Sequence, residues 1–450
     1  MACIGAMLME DSETLDKTMA FSEICTRMLF FQGWSDSNSY SDLSFLSACC
    51  LHQIFSLGSG NRQLYQDADR SRGSLIGGLR GMGLLRSRVS IEAEKGDLQP
   101  STSTDPDEVH AEWIQWKDRE RGKRVTWASF EYDCSLATLT GRRGAVDLGE
   151  LPYRLPCAEA LWEAPSAQAW KTLSTHSCFG ISIADILHRA TSGKPVQNDI
   201  SSWGKRLCSQ VIGRLLWDIK QLELTPISEA LRLPSLVCVQ QQAKSSLLQA
   251  FDGLSRSIKR PGTNKEVIDY NSEDVMDLVV YIVRNVAAAR HVSADFQLIE
   301  TAKQRLKTKF ASDPRRSRKL IWHAAQILAI ANQYLVSAPC EILRIFMGSI
   351  FLMAFSKYSG RPSDHDGGNA LNQISIRLDE IDDMGGRESE LVSNWIHHGG
   401  PACITGVEDI YSEAFASHVS AQTQCLLQRI QYWGLSRKFV KILQIFQDAG

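Results

Sequence analysis

Several stretches of the chain hold residue types that could bind or move ions. Asn198, Asp199 and Ser202 follow the opening of an N-D-x-x-S-x-x-x-E pattern, and Asp379 to Asp383 reads DEIDD. Magnesium chemistry of that kind needs oxygen ligands at every key position, because the cation is hard and holds its water tightly. The position of the closing glutamate is Arg206, whose charge would repel a metal. The acidic run also follows the first pattern instead of preceding it, and Gly385-Gly386 closes it, so a solvated helix end is expected there. His397 and His398 with Cys403 are the nearest approach to a transition-metal set. A closed zinc site takes four ligands, and the Gly399-Gly400-Pro401 turn between them fixes no geometry. A turn with partly exposed imidazoles is expected instead.

Two further motifs invite chemistry. GGLRGMG, from Gly77 to Gly83, has the glycines of a phosphate cradle. No strand precedes it and no Gly-Lys-Ser/Thr follows, so close helix–helix approach or a kink is expected. Arg315, Arg316, Arg318 and Lys319 form the one basic run, just after Asp313-Pro314. Cations in the first turn of a helix oppose its dipole. The run is therefore expected to be a solvated loop, with the helix starting two residues later, and it is a candidate nuclear import signal. Neither G-x-S-x-G nor H-E-x-x-H occurs, so no catalytic residue is assigned.

Composition narrows the classes. The 450 residues are 44% apolar and 22% charged, as in a globular protein, and 49 basic against 51 acidic side chains leave no excess positive charge for phosphate. Twelve cysteines are scattered from Cys3 to Cys425, with no C-x2-C anywhere, so neither a two-cysteine, two-histidine finger nor a six-cysteine zinc cluster fits. No cofactor and no metal are expected. Free thiols without a framework suit a reducing compartment, and the acidic N-terminus is not expected to be a secretory signal. The longest apolar run, Ile345 to Phe355, is about half a membrane span and is expected to be a core helix.

The elements that would position these residues read as helices throughout. From His110, Trp113, Trp116, Glu120, Arg124, Trp127 and Phe130 recur at three- and four-residue steps, one side of a 3.6-residue period. Glu120 precedes Arg124 by four, the favourable order for a surface pair at the edge of an aromatic core seam. Gly141 to Gly144 should stop this helix. Pro152 and Pro156 then enforce an extended approach to a short aromatic helix carrying Trp162 and Trp170. Residues 1–40 form an acidic–apolar segment, partly helical from Phe21 to Phe31. Helices are expected from Ser41, with Ser-Asp as the cap, through Leu64 to Leu85, and three or four more over 179–260. Residues 90–108, six acids against one lysine with two prolines, are expected to be an exposed loop, and 259–274 a second. An amphipathic face follows at Val275 to Ala289. The segment from Lys319 to Leu335 is apolar nearly all round and should lie at the centre of a bundle. The expected fold is all-α, one large multi-helix domain from 41 to 450.

The order of these pieces resembles the fungal-specific transcription factor domain, also called the middle homology or regulatory region. The resemblance rests on Trp113, Trp116, Glu120, Arg124, Trp127, Phe130, Asp133, Gly141, Arg142, Leu155, Pro156, Cys157, Glu159, Leu161, Trp162, Glu163 and Trp170. It is similar in particular to members that carry two-cysteine, two-histidine zinc fingers. Arg72, Gly73, Leu75, Ile76 and Arg80, the Trp322-His323-Ala324-Ala325-Gln326 run, and Trp395, Gly400 and Trp433 to Phe439 extend the likeness. The resemblance implies a nuclear transcription regulator whose helical region works through protein partners or a small-molecule cue, possessing no enzyme activity and set beside secondary-metabolite biosynthesis genes. The zinc of such proteins belongs to a DNA-binding part whose ligands this sequence lacks, so DNA would be reached indirectly. The competing expectations are a magnesium-dependent enzyme like the all-α terpene cyclases, and a non-catalytic scaffold.

Overall fold

A computed structural model describes residues 2–7, 12–86, 105–140, 142–174, 181–194, 196, 200–224, 234–256, 293–333, 335, 338–360, 375–381 and 390–448. Within these the chain is all-α. Its contacts divide it into two compact units, Met1–Leu57 with Asn61–Ile258, and Gly58–Gly60 with Lys259–Gly450. The second loop at 259–274 and the helical face at 275–289 lie outside the described residues.

Unit 1 begins with α1 (Ala2–Met7) and α2 (Ser12–Ser35), then a 3-10 turn at Ser37–Ser41. Asp42 accepts from the Ser44 N–H at 2.8 Å and so caps α3 (Leu43–Gly58), as Ser-Asp foretold. In α4 (Arg62–Gly81), a Cβ at Gly78 would stand 2.6 Å from Leu46 Cδ2, so that glycine serves close helix approach. Gly83, at φ 66°, ends the turn beyond it.

The longest helix is α5 (Pro106–Thr140). It starts inside the expected loop: the Asp105 carboxylate accepts from the Asp107 N–H at 3.1 Å, and Pro106 occupies the first turn, where its missing N–H costs nothing. Residues 90–104 lie outside the described residues. An extended segment follows, with the Leu155 N–H donating to Ile181 O at 3.1 Å and the Ile183 N–H to Tyr153 O at 3.3 Å. The one aromatic helix expected after it is two, α6 (Glu159–Trp162) and α7 (Ala167–Ser174). Pro165 cannot donate a helix bond, and Ser166 Oγ restarts the helix by accepting from the Ala169 N–H. The unit closes with α8 (Ile183–Thr191), α9 (Ser202–Leu224) and α10 (Pro234–Arg256), which pack on one another.

Unit 2 contains α11 (Ser293–Ser312), α12 (Pro314–Gln333), α13 (Pro339–Tyr358), α14 (Glu390–His398), α15 (Glu413–Gln428) and α16 (Gly434–Asp448). Its core is α13, which packs against α11, α12, α15 and α16. This helix is long and apolar enough to cross a membrane, yet 89% of that window is buried, as the core reading required. Phe346 stacks on Phe439 at 3.9 Å, and Phe310 meets Phe351 and Phe355 edge-on. Two-residue strands, β1 (Ile376–Arg377) and β2 (Ala402–Cys403), pair in parallel beside α14.

Candidate functional site

The residues that carry the family resemblance gather around α5, and two buried carboxylates organise them. Glu120 was expected at the surface edge of an aromatic seam. It is buried instead, 2% exposed. Its Oε1 accepts from the Cys157 N–H at 2.8 Å, Lys123 Nζ lies 2.6 Å from Oε2, and Arg124 Nε lies 3.3 Å from Oε1. A buried carboxylate is tolerated only with such partners. The Pro152–Pro156 segment supplies one of them, because its extended backbone aims the Cys157 N–H at α5. Arg124 then reaches outward, donating to Cys157 O at 3.2 Å, pairing with Glu159 at 3.2 Å, and lying 4.7 Å over the Trp162 ring.

Asp133 is the second node and is fully buried. Successive N–H groups of Ala145 and Val146 donate to it at 2.8 and 3.1 Å, a concavity suited to an anion. Arg72 of α4 pairs with it at 3.2 Å, and Arg214 of α9 stands at 3.8 Å. Arg214 also donates to Gly144 O at 2.9 Å. A Cβ on Gly144 would overlap both Arg214 and Asp133, so glycine is required there. GRRG was expected only to stop the helix. Among the described residues of that motif, Arg142 pairs with Asp69, Arg143 approaches Asp218 at 3.6 Å, and Gly144 admits the Asp133 cage. Gly141 lies outside the described residues.

The aromatic ladder divides into an outer and an inner part. Trp116 packs with Cys157, Leu161 and Trp170, and half-buried Trp113 and Trp162 border the cluster. Trp127 and Phe130 are wholly buried and meet edge to face at 5.8 Å, with the Trp127 indole donating to Arg154 O at 3.0 Å. Pro156 is buried, whereas Glu159 and Glu163 are exposed. Arg80, another residue of the resemblance, pairs with Glu150 at 2.8 Å. Sequence reasoning missed Arg214, Lys123 and the packing role of Gly144. Lys123 stands at i+3 from Glu120, a spacing that was open to reading, whereas Arg214 and Gly144 meet Asp133 across 81 and 11 positions of chain.

None of these groups is poised for catalysis. Burial and then the Glu120 charge push the Cys157 thiol up to about 12, and burial pushes Cys208 to about 12. Neither thiol is a ready nucleophile or metal ligand. Among the described residues, no cluster of three His, Cys, Asp or Glu side chains is placed to hold a metal. Asn198, Asp199, Asp382 and Asp383 lie outside the described residues. Arg206, at the missing glutamate position, pairs with Glu131, whose Oε2 also accepts from the Trp203 indole at 2.9 Å. Asp379 binds the Thr405 N–H at 2.9 Å, a structural bond, and His397 and His398 form the last turn of α14 instead of a free turn.

The basic run also differs from expectation. The helix begins at Pro314, because the Asp313 carboxylate accepts from the Arg316 N–H at 3.0 Å and offsets the cations of the first turn. Arg318 donates to Ile396 O and His397 O at 2.9 and 2.8 Å, closing the carbonyl end of α14. Arg315 and Arg316 are exposed and Lys319 is half-buried.

Comparison with known proteins accords with this arrangement. Residues 1–253, more than half of the chain, match the fungal-specific transcription factor domain. The chain belongs to that family. As a fungal-specific transcription factor domain it is not an enzyme. The match ends within α10, so the likeness expected of Trp322 to Gln326, Trp395 and Trp433 to Phe439 falls beyond it. The chain is also similar to zinc finger protein klf1 of Schizosaccharomyces pombe, 38% identical over 74 residues. That stretch is 16% of this chain and 10% of the relative, so the chain spans a small part of it. No solved structure matches.

Proposed function

We propose that the chain is the regulatory helical module of a transcription factor, acting in the nucleus through protein partners. The family match over residues 1–253 carries this reading. The geometry supports it from another side: Trp116, Glu120, Arg124, Asp133, Cys157 and Trp170, all residues of the resemblance, brace α5 against its neighbours. The 49 basic and 51 acidic side chains leave no net positive charge to favour phosphate, so DNA contact is assigned to a zinc-finger segment or a partner protein. Control of a secondary-metabolite gene cluster rests on the family resemblance alone. Import is assigned to Arg315, Arg316 and Lys319, without Arg318, which is engaged by α14.

The test is a fusion of the full chain to a heterologous DNA-binding domain upstream of a reporter. Reporter output should shift, up or down, against the DNA-binding domain alone, and a fusion carrying Asp133→Ala should lose that shift. Unchanged output from a stable, promoter-bound fusion would overturn the reading. A tagged chain with Arg315, Arg316 and Lys319 changed to alanine should lose nuclear accumulation while melting normally.

A further inference from the structure

α2 is built inside out. Its fully buried residues are small hydroxyls: Thr18 and Ser22 are buried, and Ser22 O and Oγ each lie 3.1 Å from His52 Nε2 of α3, while Leu29 beside them is half-buried. Most of its large apolar side chains are exposed, Phe30 among them at 51% beside a cavity on another side of the helix. Phe21, Ile24, Met28, Phe31 and Trp34 form one ridge, with Met28 65%, Phe31 75% and Trp34 92% exposed. Isolated exposed apolar residues need no explanation, but a continuous ridge of this size does.

We propose that this ridge is where two copies of the chain associate, α2 against α2 in antiparallel directions about Met28. The spacing argues for a second copy. The steps of three, four and three residues from Phe21 to Phe31 are those of a knobs-into-holes seam with another helix, and Trp34 stands one position short of the next step. The ridge also reads nearly the same in both directions about positions 27 and 28. A two-fold axis demands that property, since one patch must complement itself. Phe21 then faces Trp34 of the other copy, Ile24 faces Phe31, and the adaptable Met28 meets its own equivalent.

The area is sufficient. Aromatic side chains bury about 150–250 Å² each, so at these exposures the ridge offers on the order of 700 Å², close to the ~800 Å² per partner of a stable interface. The ridge itself contains no charged side chain. Glu23 and Arg27 border it on one flank. An antiparallel two-fold between positions 27 and 28 sets Glu23 opposite Gln32 and brings the two Arg27 side chains near each other at the solvent rim, so the association rests on the apolar ridge and not on charge pairing.

Sedimentation equilibrium of the full chain across micromolar concentrations tests this. The wild-type mass should approach twice 50.2 kDa. Met28→Glu and Trp34→Lys should each weaken association by about 30-fold or more, as for a central interface residue, with unchanged circular dichroism. Both side chains are exposed in the single chain, so neither change should impair folding. Orientation is read from cysteine cross-linking: Met28→Cys should link to itself, and Phe21→Cys should not, because the two-fold separates its copies by about 20 Å. A monomeric wild type would overturn the proposal, including the case in which a different protein covers the ridge. So would a dimer that survives both substitutions, or equal linkage at position 21. None of these outcomes bears on the regulatory reading, which the reporter decides separately.

Discussion

Unit 1 and unit 2 bury charge in opposite ways. In unit 1, Glu120 and Asp133 sit inside the structure and bind groups far along the chain: Cys157, Ala145, Val146, Arg72 and Arg214. In unit 2 the central helix α13 is packed mainly by apolar side chains, and its buried ion pair, Glu341 with Arg344 at 2.6 Å, lies within the helix itself. A buried charge is costly unless every partner is in place, so the pairs of unit 1 specify which segments meet. The pair of unit 2 joins neighbouring turns of one helix. Position is fixed there by volume, since close-packed interiors register even a methylene. The family match falls on the unit whose interior is polar and addressed.

The largest test of that contrast is Asp133→Ala. Two arginines and two backbone N–H groups would lose their shared acceptor. Removing one partner of a buried ion pair costs about 3–5 kcal/mol, and the stranded N–H groups place this case at the top of that range. Denaturant melts should show it. A loss below about 1 kcal/mol would mean that water fills the cage and that the addressing role is wrong.

A pair of near-isosteric changes sharpens the comparison at smaller scale. Glu120→Gln keeps the shape and can still accept from Cys157, but removes the charge facing Lys123 and Arg124. A hydrogen bond to a charged group is worth about 1.5–3 kcal/mol, and a loss of that size is expected. Leu352→Met in α13 conserves volume and should cost less than about 1.5 kcal/mol. Equal losses in the two melts would erase the distinction between the units.

These nodes also mark how far the sequence could be read. The course of α5, its stop after Thr140 and the extended approach to Cys157 follow from local rules, because periodicity, glycine and proline act on near neighbours. That Glu120 is buried does not follow: a Glu–Arg spacing of four is the same on a surface or in a core. Arg214 and Gly144 were illegible because their need arises from Asp133, across the fold. The start of α12 at Pro314 turned on whether the dipole penalty of three arginines outweighed one capping aspartate, and the cap prevailed. α2 shows a different limit. Its large apolar residues would normally be read as its inward face, whereas the small hydroxyl-bearing face fits against α3.

His52 gives the finest test, because it makes the stability of unit 1 depend on pH. Burial lowers its pKa from the ordinary 6.5, against opposing contributions from the Ser22 carbonyl and Asp67. The unfolded chain therefore binds a proton at a higher pH than the folded one, and the linkage sign follows: stability falls as pH drops through about 6.5 and is recovered above it. Neutral imidazole is the form that fits between α2 and α3. His52→Gln removes the titration while leaving a polar group of similar reach. Thermal melts of wild type and variant should run parallel above pH 7 and converge toward the acid side, as the wild type loses the advantage of its neutral ring. Curves that stay parallel down to pH 5 would assign the acid sensitivity of unit 1 to groups other than this histidine.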